Sequence, residues 1–321
     1  MALPDPNRPL RIGTRGSPLA LAQAHETRRR LMAAHGLPED AFEVVVISTA
    51  GDRITDRPLS ALGGKGLFTR EIESDLLAGR IDVAVHSMKD MPTIQPEGLV
   101  IDCLLPREDV RDAFVSGRHA SLGSLPEGTV VGTSSLRRGA QLRARRPDLR
   151  VVEFRGNVQT RLRKLADGVA EATFLAMAGL NRLGMTDVAR APIDPSDMLP
   201  AVAQGAIGVE RREDDARVAA LVEPLDHPET TLRVAAERAF LARLDGSCET
   251  PIAGLAEIVD GGLRLRGEVL RPDGSDFHEG SETGPLEDAA DMGTALAARL
   301  LDRAGPGFFE WHMKDGSVGR T

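Results

Sequence analysis

Ile81-Asp-Val-Ala-Val-His-Ser-Met-Lys-Asp-Met-Pro92 reads as a strand that runs into a polar turn. Ile81, Val83 and Val85 alternate with Asp82, Ala84 and His86, and β-branched residues suit a pleated, half-buried surface. Pro92 ends the run, because proline cannot donate to a ladder and pushes the preceding residue out of the helical region. His86, Ser87, Lys89 and Asp90 therefore stand at the carboxyl end of a strand, where open α/β sheets bind ligands. Lys89 and Asp90 read equally well as solvated turn residues, and His86 reads as a satisfied structural histidine before a catalytic one.

Working outward, Leu10–Thr14 reads as a strand feeding a helix that Ser17 caps, Pro18 pre-organises, and Gly36 and Pro38 stop. Such a junction leaves backbone N–H groups facing the sheet edge, an anion site with Arg15 beside it. Phe42–Thr49 is a second buried-type strand. Leu62-Gly-Gly-Lys-Gly-Leu-Phe68 precedes a helix over 69–77; Gly66 and Leu67 after Lys65 do not fit the phosphate-cradling Gly-Lys-Ser/Thr pattern, so the segment reads as a loop carrying one cation. Beyond Pro92, the strand Leu99–Leu105 leads into 106–115, a crossover to a second sheet.

Thr129-Val-Val-Gly-Thr-Ser-Ser135, running into Leu136–Leu142, repeats the order of Ile12–Gln23: strand, Gly-Thr, small hydroxyl residues, helix, Gln. Thr133, Ser135 and Arg137 and Arg138 belong to this second corner. Cations in a first helical turn oppose the macrodipole, which points to a ligand rather than to the fold. Val151–Phe154 runs into Arg155 and a helix capped by Asn157 that carries Arg161, and the strand 172–177 is followed by Arg182. Arginines thus recur at strand ends, and guanidinium forks bind carboxylates bidentately, so the inferred ligand is an anion with several carboxylates or phosphates. Pro200–Glu210, containing Gln204, reads as a strand returning to the first sheet. From Pro228 a helix, an antiparallel meander over 252–258, 262–270 and a strand after the 272–275 turn, and a closing helix near 288–303 make a small α+β domain. Cys248 sits in a loop of that domain, whereas Cys103 lies among apolar neighbours and reads as a core residue.

Composition narrows the class. At 41% hydrophobic and 27% charged, 321 residues make an ordinary globular protein too long for one core. A formal charge of −8 and only 3% aromatics argue against nucleic acid as a partner. The opening residues lack an apolar signal core and no apolar run approaches a membrane span, so a cytoplasmic protein without a membrane partner or a disulfide is expected. No metal-ligand pattern stands out. Only four of the 40 basic residues are lysines, and two of these, Lys65 and Lys89, lie around the opening stretch.

The set His86–Asp90, Gly63–Phe68, Gly132–Arg138, Arg155–Asn157 with Thr160-Arg161, Ala203–Ala206 and Gly246–Cys248 resembles the hydroxymethylbilane synthase, or porphobilinogen deaminase, family, in order from about Leu10 into the C-terminal domain. The resemblance implies two α/β domains like periplasmic binding proteins, with the active site in the cleft between them, and a smaller α+β domain. The boundaries read as 1–105 with 206–223, then 106–205, then 224–321. It implies polymerisation of four porphobilinogen molecules into a linear tetrapyrrole with loss of ammonia, on a dipyrromethane cofactor held by a thioether. By the same resemblance Cys248 carries the cofactor, which Lys89, Thr133, Ser135, Arg137, Arg138 and Arg161 help bind. Asp90 is the catalytic carboxylate, and Arg15, Ser17, Lys65, Arg155, Arg182 and Gln204 bind substrate. A basic residue common before the Gly-Gly-Lys loop is here Ala61. A monomer is expected, since no coiled coil or large apolar stripe requires a partner.

One rival comes from another class, a binding protein, and one is a second enzyme alternative. A carrier of di- or tricarboxylates explains paired lobes and arginines but not Asp90 among cations or the loop cysteine. A phosphate-ester transferase lacks the Mg²⁺ ligand pattern.

Overall fold

The computed structural model describes residues 3–53, 66–244 and 250–309. Lys65, Cys248, Ala61 and the tail from 310 lie outside them. In chain order the strands are β1 (Leu10–Arg15), β2 (Phe42–Ile47), β3 (Val83–Ser87), β4 (Leu99–Leu104), β5 (Asp112–Ser116), β6 (Val130–Gly132), β7 (Arg150–Val152), β8 (Ala172–Ala176), β9 (Ala191–Pro192), β10 (Ile207–Arg212), β11 (Ile252–Val259), β12 (Gly262–Leu270) and β13 (Phe277–Gly284). The helices are α1 (Pro18–His35), α2 (Ala50–Arg53), α3 (Arg70–Leu77), α4 (Leu136–Arg145), α5 (Val158–Ala166), α6 (Met177–Arg182), α7 (Ala216–Val222), α8 (Pro228–Arg243) and α9 (Ala289–Ala304).

Packing divides the chain into two units, one of Met1–Val110, Ala176–Ala189 and Ala203–Val234, the other of Arg111–Leu175, Arg190–Val202 and Ala235–Thr321. The first holds a five-stranded sheet in the order β2-β1-β3-β10-β4. Strands β1, β2 and β3 are parallel, and β10 enters antiparallel between β3 and β4. Leu10, Ile12, Val83, Val85, Ile207 and Val209 form its core with Leu31 of α1 and Leu221 of α7. Ile72 and Leu76 of α3 join a second cluster with Ile81 and Ala84. Each such side chain contributes about 1.5–3 kcal/mol when fully withdrawn from water.

The second unit holds two sheets. One is five-stranded, β7-β6-β8-β5-β9, with β6 parallel to β7 and β8 and an antiparallel edge at β9. The other is the antiparallel meander β11-β12-β13, over which α9 packs Leu296 and Leu300, close to Gly280. Glu268 of β12, 1% exposed, accepts from Gln141 Nε2 at 2.6 Å and Arg145 at 2.7 Å, which fastens α4 to the meander.

Local signals set the helix ends as the sequence predicts. Ser17 accepts from Ala20 N, Ser135 from Arg138 N and Asn157 from Thr160 N, each satisfying a first-turn donor. Gly36 closes α1 at φ 64°. The segment 200–206 differs from the expected strand, which begins only at Ile207. Ala203 at φ 58° and Gly205 at φ 88° turn the chain there, and a Cβ on Gly205 would stand 2.5 Å from the carbonyl oxygen of Glu108.

Candidate active site

In the first unit a pocket opens where β1 and β3 end. Arg15, Ser17, Gln23, Phe68, Thr69, His86, Ser87, Asp90 and Met91 line it. Asp90 reaches this place because β3 gives way to a single 3₁₀ turn, Met88–Asp90, in which Met88 is buried as an anchor and Asp90 is exposed. Arg15 lines the same pocket from the end of β1. Its Nη2 lies 2.5 Å from Asp52 Oδ1, and its guanidinium stacks 4.2 Å from the Phe68 ring centroid. Burial pushes the Asp52 carboxyl up, but donors from Arg15 and Thr49 outweigh it and hold it below its ordinary range. Gln23 and Ser87 exchange hydrogen bonds at 2.8 and 3.1 Å across the floor.

The carboxylate-binding candidates of this unit are already braced. Lys89 Nζ donates to Gln204 Oε1 at 3.4 Å, and Gln204 Nε2 donates to the carbonyl of Val110 at 2.8 Å. Arg182 donates to Glu26 at 3.2 Å and to the carbonyl of Gly205 at 3.0 Å. Burial draws the Arg182 pKa down while Glu26 opposes it, and the guanidinium stays charged. Arg182 thus fixes the turn that carries Gln204. Ser17 caps α1 by accepting from Ala20 N, which leaves its hydroxyl proton to donate at the pocket.

Among the residues lining the pocket, His86 has a buried partner that the sequence did not signal. His86 Nε2 stands 2.9 Å from Glu210 Oε2, with the two side chains 5% and 0% exposed. In the β3–β10 register His86 faces Gly208 and Ala84 faces Glu210, so the pair is a diagonal neighbour pair on one sheet face. His86 does have the structural partner expected of it. Glu73 on α3 is buried nearby, and burial pushes its carboxyl above the usual range, with Glu210 adding and His86 opposing.

The second unit repeats the corner at β6 and α4. Thr133 Oγ1 accepts from Ser135 N at 3.2 Å and Ser135 caps α4. Arg137 and Arg138 differ from expectation, because the fold supplies them with an internal anion. Both bond the carboxylate of Asp112, at 2.8 and 2.7 Å, and they also donate to the carbonyls of Leu199 and Phe174. Their position in a first helical turn therefore needs no ligand. Even so, Nε of each is buried without a partner among the described residues, as is Nη1 of Arg155. Arg155 follows β7, and half-buried Arg161 projects from α5. Orphaned buried donors cost free energy unless an acceptor meets them, and an acidic group with several carboxylates fits that set.

Cys103 is 1% exposed and its Sγ lies 3.3 Å from the carbonyl of Val222. Burial pushes its thiol up to about 12, which removes it as a nucleophile. Among the described residues no cluster has the makings of a metal site, and no helix is long and apolar enough to cross a membrane.

Residues 10–220 match the family model described as porphobilinogen deaminase, dipyromethane cofactor binding domain, and residues 231–302 match that of the porphobilinogen deaminase C-terminal domain. A porphobilinogen deaminase of Paracoccus denitrificans is 70% identical over 309 residues, covering 96% of this chain and 99% of its own. Among solved structures, the methionine binding protein MetQ aligns with a TM-score of 0.44 at 15% identity over 71% of this chain and 93% of its own. A putative methionine-binding lipoprotein of Bacillus subtilis gives 0.43 at 13% over 70% and 93%.

Proposed function

From the premise that the chain belongs to the porphobilinogen deaminase family, we propose that its chemistry takes place at Asp90, with the arginines of the two corners holding carboxylates. The protein polymerises four porphobilinogen molecules into the linear tetrapyrrole hydroxymethylbilane, with one ammonia released per addition, in tetrapyrrole biosynthesis. The observation that supports the placement is an exposed carboxylate in the turn that follows β3, lining one pocket with Arg15.

Porphobilinogen bears two carboxylates, a pyrrole N–H and an aminomethyl group. Arg15, held by Asp52 and Phe68, presents a fixed fork to a carboxylate. Ser17, Lys65, Arg155, Arg182 and Gln204 complete our assignment of substrate-binding residues. When the C–N bond breaks, its electron pair leaves with nitrogen as ammonia and a cation remains on the pyrrole methylene. Asp90 accepts the pyrrole N–H and stabilises that cation, an electrostatic role.

The dipyrromethane cofactor, when bound, supplies the primer pyrrole from which the chain is extended. The orphaned Nε atoms of Arg137 and Arg138 fit its carboxylates, and we assign Thr133, Ser135, Lys89 and Arg161 to the same task and Cys248 to the thioether. We further propose the domain boundaries 1–105 with 206–223, 106–205 and 224–321, and a cytoplasmic monomer.

The test is the intact mass of the purified protein with a pyrrole colour reaction. An excess equal to two linked porphobilinogen-derived units on the Cys248 peptide supports the reading. A bare mass that stays bare after incubation with porphobilinogen sinks it.

A further inference from the structure

Glu210 presents a problem that the fold does not answer. It is fully buried in the middle of a sheet, where a leucine would serve packing better. One carboxylate oxygen meets His86, whereas the other, Oε1, is buried without a hydrogen-bond partner among the described residues. A second acid, Glu73, is buried close enough for Glu210 to raise its pKa.

The bond to Glu210 also fixes what His86 can offer. A carboxylate only accepts, so Nε2 carries a ring proton, and in the neutral imidazole Nδ1 is then the acceptor. His86 lines the pocket with Asp90. The same pocket is lined by the Arg15 guanidinium, by the Asp90 carboxylate and by the Glu210-backed imidazole, so it offers both a cation and acceptors. Porphobilinogen carries the complement, carboxylates and a single ammonium.

We propose that His86, oriented by Glu210, recognises the aminomethyl ammonium of porphobilinogen, which makes the pair a specificity determinant for the cationic leaving group. This rests on the reading of the Asp90 pocket given above. His86 is the contact residue and Glu210 the positioning residue, since it acts only through the imidazole.

The test compares two substrates on the cofactor-loaded enzyme: porphobilinogen, and the same pyrrole with a neutral hydroxymethyl group in place of aminomethyl. In Glu210→Gln the amide can rotate to donate to the ring, the imposed tautomer is lost and the buried negative charge disappears. KM for porphobilinogen rises about tenfold, while KM for the hydroxymethyl compound changes less than twofold. Equal losses for both compounds, or no loss for either, would overturn the proposal. A wild-type enzyme that turns over neither compound would instead overturn the reading of the pocket itself.

A second measurement needs no folded variant. In wild-type protein labelled with ¹⁵N-histidine, the His86 ring is expected in the Nε2–H tautomer. Its Nδ1 resonance should move on adding a benzene analogue that carries the aminomethyl, acetate and propionate groups, and should stay still with the hydroxymethyl benzene analogue. The opposite tautomer, or an Nδ1 signal indifferent to both compounds, counts against the proposal.

Discussion

Arg137 and Asp112 form a buried ion pair, Nη2 to Oδ2 at 2.8 Å, with the two side chains 5% and 0% exposed. Asp112 also holds Arg138 at 2.7 Å, so one carboxylate compensates two withdrawn cations. Asp112→Ala leaves both guanidiniums buried without it and should cost about 3–5 kcal/mol. Urea unfolding of the variant measures this, and a loss below about 1 kcal/mol would mean that the arginines find other partners.

Asp90→Ala removes an exposed carboxylate whose work is electrostatic. Stability should stay within about 0.5 kcal/mol of the parent, whereas turnover of porphobilinogen falls about 10²–10³-fold. Near-normal turnover would move the chemistry elsewhere.

Asp52 ties acid stability to the pocket. Its carboxyl is held below the ordinary 3.8, so it binds protons less readily folded than unfolded. Its contribution is therefore complete above the unfolded value and disappears as pH falls through the folded one. Asp52→Asn should be less stable than the parent at pH 7, with the gap closing below about pH 4. The variant should also bind porphobilinogen more weakly, because Arg15 loses its brace. Unfolding curves from pH 7 to pH 2 check the first expectation and KM the second.

The two cysteines should behave oppositely. With its thiol pushed up to about 12, Cys103 should resist alkylation in the folded protein at pH 8, and Cys103→Ala should still carry pyrrole. Cys248→Ala should carry none. Peptide mapping after brief treatment with iodoacetamide, and the pyrrole colour reaction, decide both.

What the sequence disclosed was largely short-range. Ser17, Ser135 and Asn157 cap helices three residues ahead of the donors they meet, and the alternation in Val83–Ser87 is visible without partners. Asp90 stood out because the carboxyl ends of strands in open α/β sheets bind ligands, while its catalytic role was an expectation from the family resemblance alone. The partners of the arginines were hidden because they are distant: Asp112 lies 25 residues from Arg137, and Glu26 lies 156 from Arg182. No local pattern announces such a pairing. Glu210 escaped notice for the same reason, since it meets His86 across 124 residues. At 200–206 apolar composition outweighed the glycine signal, and Gly205 at φ 88° makes a turn of what reads as a strand.

The late insertion of β10 between β3 and β4 bears on how the chain is made. A ribosome completes Leu104 about a hundred residues before Arg212, an interval on the order of ten seconds. During that interval the central strand β3 has an open edge, and β4 has no partner in the sheet, until the distant strand arrives. Nascent chains, or products truncated before Ile207, should therefore be the forms that self-associate and draw on chaperones. A nonsense change early in the second sheet would leave not a smaller working lobe but a sticky one.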